Sequence, residues 1–220
     1  MELALETSRR ETSLALAAGD RVLLDEGAAA HASDLLPRLA GLLAQAGIER
    51  AGPLGLARLF VGLGPGSYTG LRVGIATAHG LARATGAVLY GLSSFEALAS
   101  AELAPGEEGV VVADARGGRA YVGRYRREGA ALRVLAEPSA CAPAELGARC
   151  AGATLVLGHP GLREALGLEL PPDTRYREDA LPRAGALLAL GRARLAAGSL
   201  ASRPALEPLY LAEFAARARP

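Results

Sequence analysis

Residues 62–74 read Gly62-Leu63-Gly64-Pro65-Gly66-Ser67-Tyr68-Thr69-Gly70-Leu71-Arg72-Val73-Gly74, a glycine-dense turn that closes an apolar strand and runs into a helix. The glycines flanking Pro65 let the backbone turn sharply, because no Cβ restricts φ there. Ser67 is placed to cap the helix, and the first-turn amides together with the helix dipole suit an anion. The chemistry this points to is phosphate binding, with Ser67 and Thr69 on the turn and Arg72 as a cation. The spacing departs from the standard forms. Gly64 to Gly70 runs G-x-G-x-x-x-G, one residue longer than the dinucleotide fingerprint, and a P-loop needs a lysine, which this chain lacks.

Other chemistry-bearing residues are scattered. Glu6 and Thr7 end the first strand, and Asp114 ends a later buried strand, a common place for a ligand-facing acid in α/β sheets. Asp114 can equally pair internally with Arg116 or Arg119, the role favoured here. His31, His79 and His159 are isolated; Leu35 stands one turn after His31, where a metal pair would need a second histidine. No metal site is expected. Gly66-Ser67-Tyr68-Thr69-Gly70 spaces its glycines too widely for a hydrolase elbow, so proteolysis stays open with little support.

These residues need elements to position them. Leu3–Leu5, Ser13–Ala17 and Arg21–Glu26 read as a three-strand meander, and Ser33 or Asp34 caps a helix ending at Gly47. Leu35, Leu36, Leu39, Leu42 and Leu43 are assigned to one face of that helix. A strand at 57–63, a helix over 67–84, a strand at 87–91 and a short helix from Ser93 or Ser94 follow. In the longer helix Gly66, Gly70, Gly74, Ala78 and Ala82 recur every four residues, a nearly bare stripe that lets another helix approach. Each interior glycine costs about 0.5–1 kcal/mol of helix stability, so a packing contact must offset it.

From Gly109 the series repeats: strands at 110–114, 119–125 and 132–136, a helix at 143–151, a buried strand at 154–157, a short helix at 162–166 and a longer one at 183–197. The plan is a duplicated β-β-β-α-β-α, that of the actin-like and sugar-kinase (ribonuclease H-like) ATPase fold, with domains expected at 1–104 and 105–220.

Composition narrows the classes. The formal charge is +1 over 220 residues, which gives no general drive toward nucleic acid, although Arg124-Arg126-Arg127 forms a local basic cluster. No stretch is long and apolar enough for a membrane span and no targeting segment is read, so a cytoplasmic location is expected. Cys141 and Cys150 read as buried thiols.

The string Gly64-Pro65-Gly66-Ser67-Tyr68-Thr69-Gly70-Leu71-Arg72 resembles the signature of the TsaB (YeaZ) family of tRNA threonylcarbamoyladenosine synthesis. Leu3-Ala4-Leu5-Glu6-Thr7-Ser8, His31 with Leu35-Leu36-Pro37, Asp114-Ala115-Arg116 through Tyr121, and Pro208-Leu209-Tyr210-Leu211 resemble further landmarks of that family, in order along the chain. The resemblance implies a subunit without catalytic residues of its own, pairing with a TsaD catalytic subunit and a TsaE ATPase. It also implies homodimers when alone, and tRNA reached only through the complex. No tightly bound cofactor is implied, with ATP or ADP at the complex interface as an option. It places the interface on the first two helices, for which Leu35, Leu36, Leu39, Leu42, Leu43, Gly70, Gly74, Thr77, Ala78 and Leu81 are the candidates. A charge at Gly74 or Leu39 is then expected to break the complex. Glu6, Thr7, Ser67, Thr69, Arg72 and Asp114 form the candidate vestigial nucleotide site; Glu6 stands where many family members carry Asp. An independent actin-fold nucleotide-binding enzyme is the alternative.

Overall fold

The computed structural model describes residues 1–19, 21–25, 34–48, 55–203 and 205–211; His31 and Ser33 lie outside them. The first half comprises strands β1 (Glu2–Glu6), β2 (Ser13–Ala18) and β3 (Arg21–Asp25), helix α1 (Leu35–Gln45), β4 (Arg58–Gly62), α2 (Tyr68–Thr85), β5 (Val88–Leu92) and α3 (Ser94–Glu102). The second comprises β6 (Glu108–Arg116), β7 (Arg119–Glu128), β8 (Ala131–Cys141), α4 (Leu146–Cys150), β9 (Leu155–Leu157), α5 (Leu162–Leu166), β10 (Arg175–Arg177) and α6 (Ala184–Ala196). The sheets run β3-β2-β1-β4-β5 and β10-β9-β6-β7-β8, the same order read from opposite edges. In each, an antiparallel meander continues into parallel strands reached through helices. This is the duplicated actin-like plan.

Burial explains the strand sequences. In the first sheet β1 is buried along its whole length, as expected of a strand covered on both faces. Leu3, Leu5, Leu14, Leu16, Leu59 and Val61 meet α1 and α2 on one side. On the other, Ala4, Ala15, Ala17 and Phe60 meet Ala184, Leu187, Leu188 and Leu190 of α6. The covering helices cross over between halves. Helix α6, last in the chain, closes the first sheet, while Phe95, Leu98 and Leu103 on and just after α3 pack on Val111, Ala113 and Leu155 of the second. The two helices touch, and Arg194 pairs with Glu96 between them. Glu2, nearly buried, forms an ion pair with Arg58 at 2.6 Å and accepts a hydrogen bond from Arg192 at 2.5 Å, tying β1 to β4 and α6.

Three elements differ from the sequence reading. The 143–151 helix divides into a single 3-10 turn at Pro143–Glu145 and the short α4. Strand β8 extends past Pro138, which an edge strand with register shifts against β7 tolerates. Strand β10 was not anticipated: three residues, two of them exposed arginines, carry no periodic signal, and the strand exists through its parallel pairing with β9.

Helix α6 crosses the sheet at Gly191, where an added Cβ would lie 2.4 Å from Phe60 Cδ1. Gly191→Ala is expected to destabilise the fold by about 1–3 kcal/mol through overpacking, even though alanine is the better helix former by ~1 kcal/mol. Urea unfolding measures the change, and a gain in stability would contradict the close crossing.

Candidate functional site at the glycine-rich turn

Ser67 caps α2 as its residue type suggests, its hydroxyl accepting from Gly70 N at 3.3 Å. The bare stripe it opens is occupied by the chain itself. A Cβ on Gly66 or Gly70 would fall 2.2 Å from the carbonyl oxygen of Ser8 or Thr7, and one on Gly74 2.2 Å from Thr7 Oγ1. The turn after β1 therefore lies under the first turns of α2, and Ser67 N donates to Ser8 O at 2.7 Å to fix it there. No partner helix can use the Gly70–Gly74 face. The glycines remove the side chains that would hold α2 away from Thr7 and Ser8.

Glu6 lies beside this contact, 1% exposed. Its Oε1 accepts from Ser8 N at 2.7 Å, while a Cβ on Gly62 would meet Oε2 at 2.3 Å and the Ser94 hydroxyl at 2.9 Å. Burial pushes the Glu6 carboxyl above its ordinary value of 4.5, opposed in part by the donors of Ser8. The Oε2 atom is buried and has no hydrogen-bond partner. Thr7 and Ser8 are also buried, with unpartnered hydroxyls.

The six residues read as a vestigial nucleotide site stand in different settings. Glu6, Thr7 and Ser67 converge on the sealed turn, and Thr69 is exposed on α2. Arg72 turns outward, its Nη1 donating to the Tyr68 hydroxyl at 2.6 Å. Asp114 is exposed in the second sheet, where Oδ1 accepts from Arg116 N at 2.7 Å and shapes the hairpin in which Arg116 takes φ 62°. Arg9, which sequence reasoning passed over, links the two halves electrostatically. Burial lowers its pKa, while Glu11, Asp114 and Glu6 act to raise it. His159 is likewise lowered by burial and by Arg9, and it holds a contact from Nδ1 to Pro160 O. His79 Nε2 accepts from Leu206 N at 3.3 Å.

The interface candidates divide as well. Leu35, Leu39, Leu42 and Leu43 are core, as is Ala78, whereas Leu36 is 57% exposed and Thr77 and Leu81 are half-buried. An amphipathic face is read correctly from spacing, but a leucine at position 36 falls off it. A charge at Leu39 or Gly74 consequently tests folding, not association. The basic cluster is tied down too: Arg124 and Arg126 pair with Glu108, and Arg127 donates to Ser100 O. Cys141 and Cys150 are buried free thiols, and burial pushes Cys150 up to about 11.

The family described as TsaD: tRNA N6-adenosine threonylcarbamoyltransferase matches residues 25–155. An uncharacterized protein of Mycobacterium tuberculosis is 38% identical over 107 residues, covering 49% of this chain and 47% of its own. The tRNA threonylcarbamoyladenosine biosynthesis protein TsaB of Haemophilus influenzae is 36% identical over 130 residues, covering 57% of this chain and 54% of its own. The chain therefore spans about half the length of the curated relatives it matches. Among solved structures, YeaZ from Pseudomonas aeruginosa superposes with a TM-score of 0.80 at 28% identity, over 96% of this chain and 99% of that one. Among the described residues no helix is long and apolar enough to cross a membrane.

The sealed turn generates a pH signature. Because the folded-state pKa of Glu6 is raised, the native protein holds a proton that the unfolded chain releases; the associated stability is present in acid and lost as pH rises from 4.5 through the folded value. Glu6→Gln removes this dependence. The variant is expected to match or exceed wild type in stability at neutral pH, with the difference shrinking toward pH 4.5. Denaturant unfolding across that range checks it, and an equal loss of stability at every pH would contradict a raised Glu6 pKa.

Proposed function

Because the chain belongs to the TsaB (YeaZ) family, we propose that it is a non-catalytic subunit that pairs with a TsaD-type transferase. With a TsaE-type ATPase, the pair forms the threonylcarbamoyl group on N6 of the adenosine next to the tRNA anticodon. The observation that carries the non-catalytic part is the closed first turn. The acid that an actin-like ATPase would direct at a metal-bound water is here enclosed by Gly62 and Ser94, and Thr7 and Ser8 are packed directly against Gly66, Gly70 and Gly74 at the start of α2. Any nucleotide, ATP or ADP, then belongs at the interface with the partner and not inside the turn.

The surface for that partner is the outward side of α1 and α2, where Leu36 is exposed and Thr77 and Leu81 are half-buried. Self-association through the same surface is its competing use. A protease reading is not favoured: the Ser67 hydroxyl is committed to the helix cap.

In a reconstituted reaction containing the TsaD-type and TsaE-type subunits encoded with this chain, omitting it is expected to abolish modified tRNA. Leu36→Asp is expected to weaken the pairing at least about tenfold, or ~1.4 kcal/mol, with the melting temperature little changed. Product formed equally well without the chain overturns the function, and unchanged affinity of the variant in calorimetry overturns the surface.

A further inference from the structure

Tyr68, Arg72 and Tyr210 form a cluster on the outside of the first turns of α2. Arg72 follows Tyr68 by one helical turn, so the two side chains stack; its guanidinium carbon lies 5.3 Å from the ring centroid, in addition to the bond to the hydroxyl. Tyr210 arrives from the far end of the chain, with its ring centroid 5.3 Å from that of Tyr68 and the planes tilted by 32°. The segment carrying it is held by its backbone: Arg203 N donates to Leu89 O, Leu206 N to His79 Nε2 and Leu209 N to Leu63 O. Tyr210 is nevertheless 52% exposed. A large ring is thus fixed in the open beside an oriented cation.

A guanidinium carries five N–H donors, and one of these goes to Tyr68. Among the described residues no carboxylate pairs with Arg72, whereas arginines such as Arg38 and Arg192 are tied to acids. Neither α1 nor α2 contains an Asp or Glu. Glu207 acts electrostatically on Tyr210, and among the described residues no ion pair joins it to Arg72.

We propose that this Tyr–Arg–Tyr platform anchors a carboxylate-bearing segment of the protein partner, the Arg72 fork taking an Asp or Glu side chain between the shoulders of the two rings. The inference rests on the pairing proposed above and gives its chemistry. Tyrosine and arginine are the residue types that concentrate binding energy at protein interfaces, and a guanidinium held in place by a ring loses less freedom on binding than a loose one. A second copy meeting this face through its own α1 and α2 fits poorly, because neither helix brings an acid and α2 adds the exposed Arg83 to the same side. RNA fits poorly as well, since one oriented cation on a chain of net charge +1 gives few phosphate contacts.

The test is calorimetric titration of the full chain into the TsaD-type subunit encoded with it, at low and high salt. Arg72→Glu and Tyr210→Ala are each expected to weaken binding at least about tenfold with unchanged circular dichroism, and Arg72→Lys is expected to bind better than Arg72→Glu. The wild-type affinity is expected to fall with salt more steeply than that of Arg72→Ala. Wild-type binding that neither variant weakens overturns this inference and leaves the pairing standing; no binding by wild type overturns the pairing and this inference with it. A homodimer in sedimentation that Arg72→Glu dissociates, or tRNA retention on filters that it alone abolishes, overturns the assignment in favour of a second copy or of RNA.

Discussion

The fit between α2 and the turn after β1 is the contact on which the rest depends. Gly66 just before α2, and Gly70 and Gly74 within it, bring the backbone onto Thr7 and Ser8, at separations no side chain would permit. With α2 drawn down, Leu71, Ile75 and Ala78 are buried, and Ile75 and Ala78 share the core with the inward leucines of α1. The same approach closes the turn that would face a phosphate. The cost of glycine in a helix, roughly 0.5–1 kcal/mol each, is therefore offset within the chain itself.

That closure changes the meaning of Glu6. A carboxylate at the end of a buried strand is a candidate ligand for a metal-bound water when it is reached by solvent. Here it is enclosed, its pKa is pushed up by burial, and one oxygen is spent on Ser8 N. What the surface retains lies on the other sides of the helices: Leu36 on α1, and Tyr68 with Arg72 on α2.

Much of this was legible in the sequence because it is local. Strand and helix periods, the Ser67 cap and the repeat of the fold plan each depend on residues a few positions apart, and the core side of α1 follows from its leucine spacing. What was not legible depends on residues far apart. The glycine stripe announces a close neighbour, but that the neighbour is Thr7–Ser8, some sixty positions earlier, follows only from the parallel pairing of β1 with β4. The burial of Glu6 requires Gly62 and Ser94, and the platform joins Tyr68 to Tyr210 across most of the chain. Strand β10 and the crossover of α3 and α6 between sheets are likewise products of tertiary pairing.

The central claim is that the glycine string seals the first turn against a ligand. Titration of the isolated chain with magnesium ATP in a calorimeter tests it most directly. The account predicts no saturable heat for wild type or for Glu6→Gln. Saturable binding by wild type that Glu6→Gln abolishes would show an open, working phosphate site and contradict it.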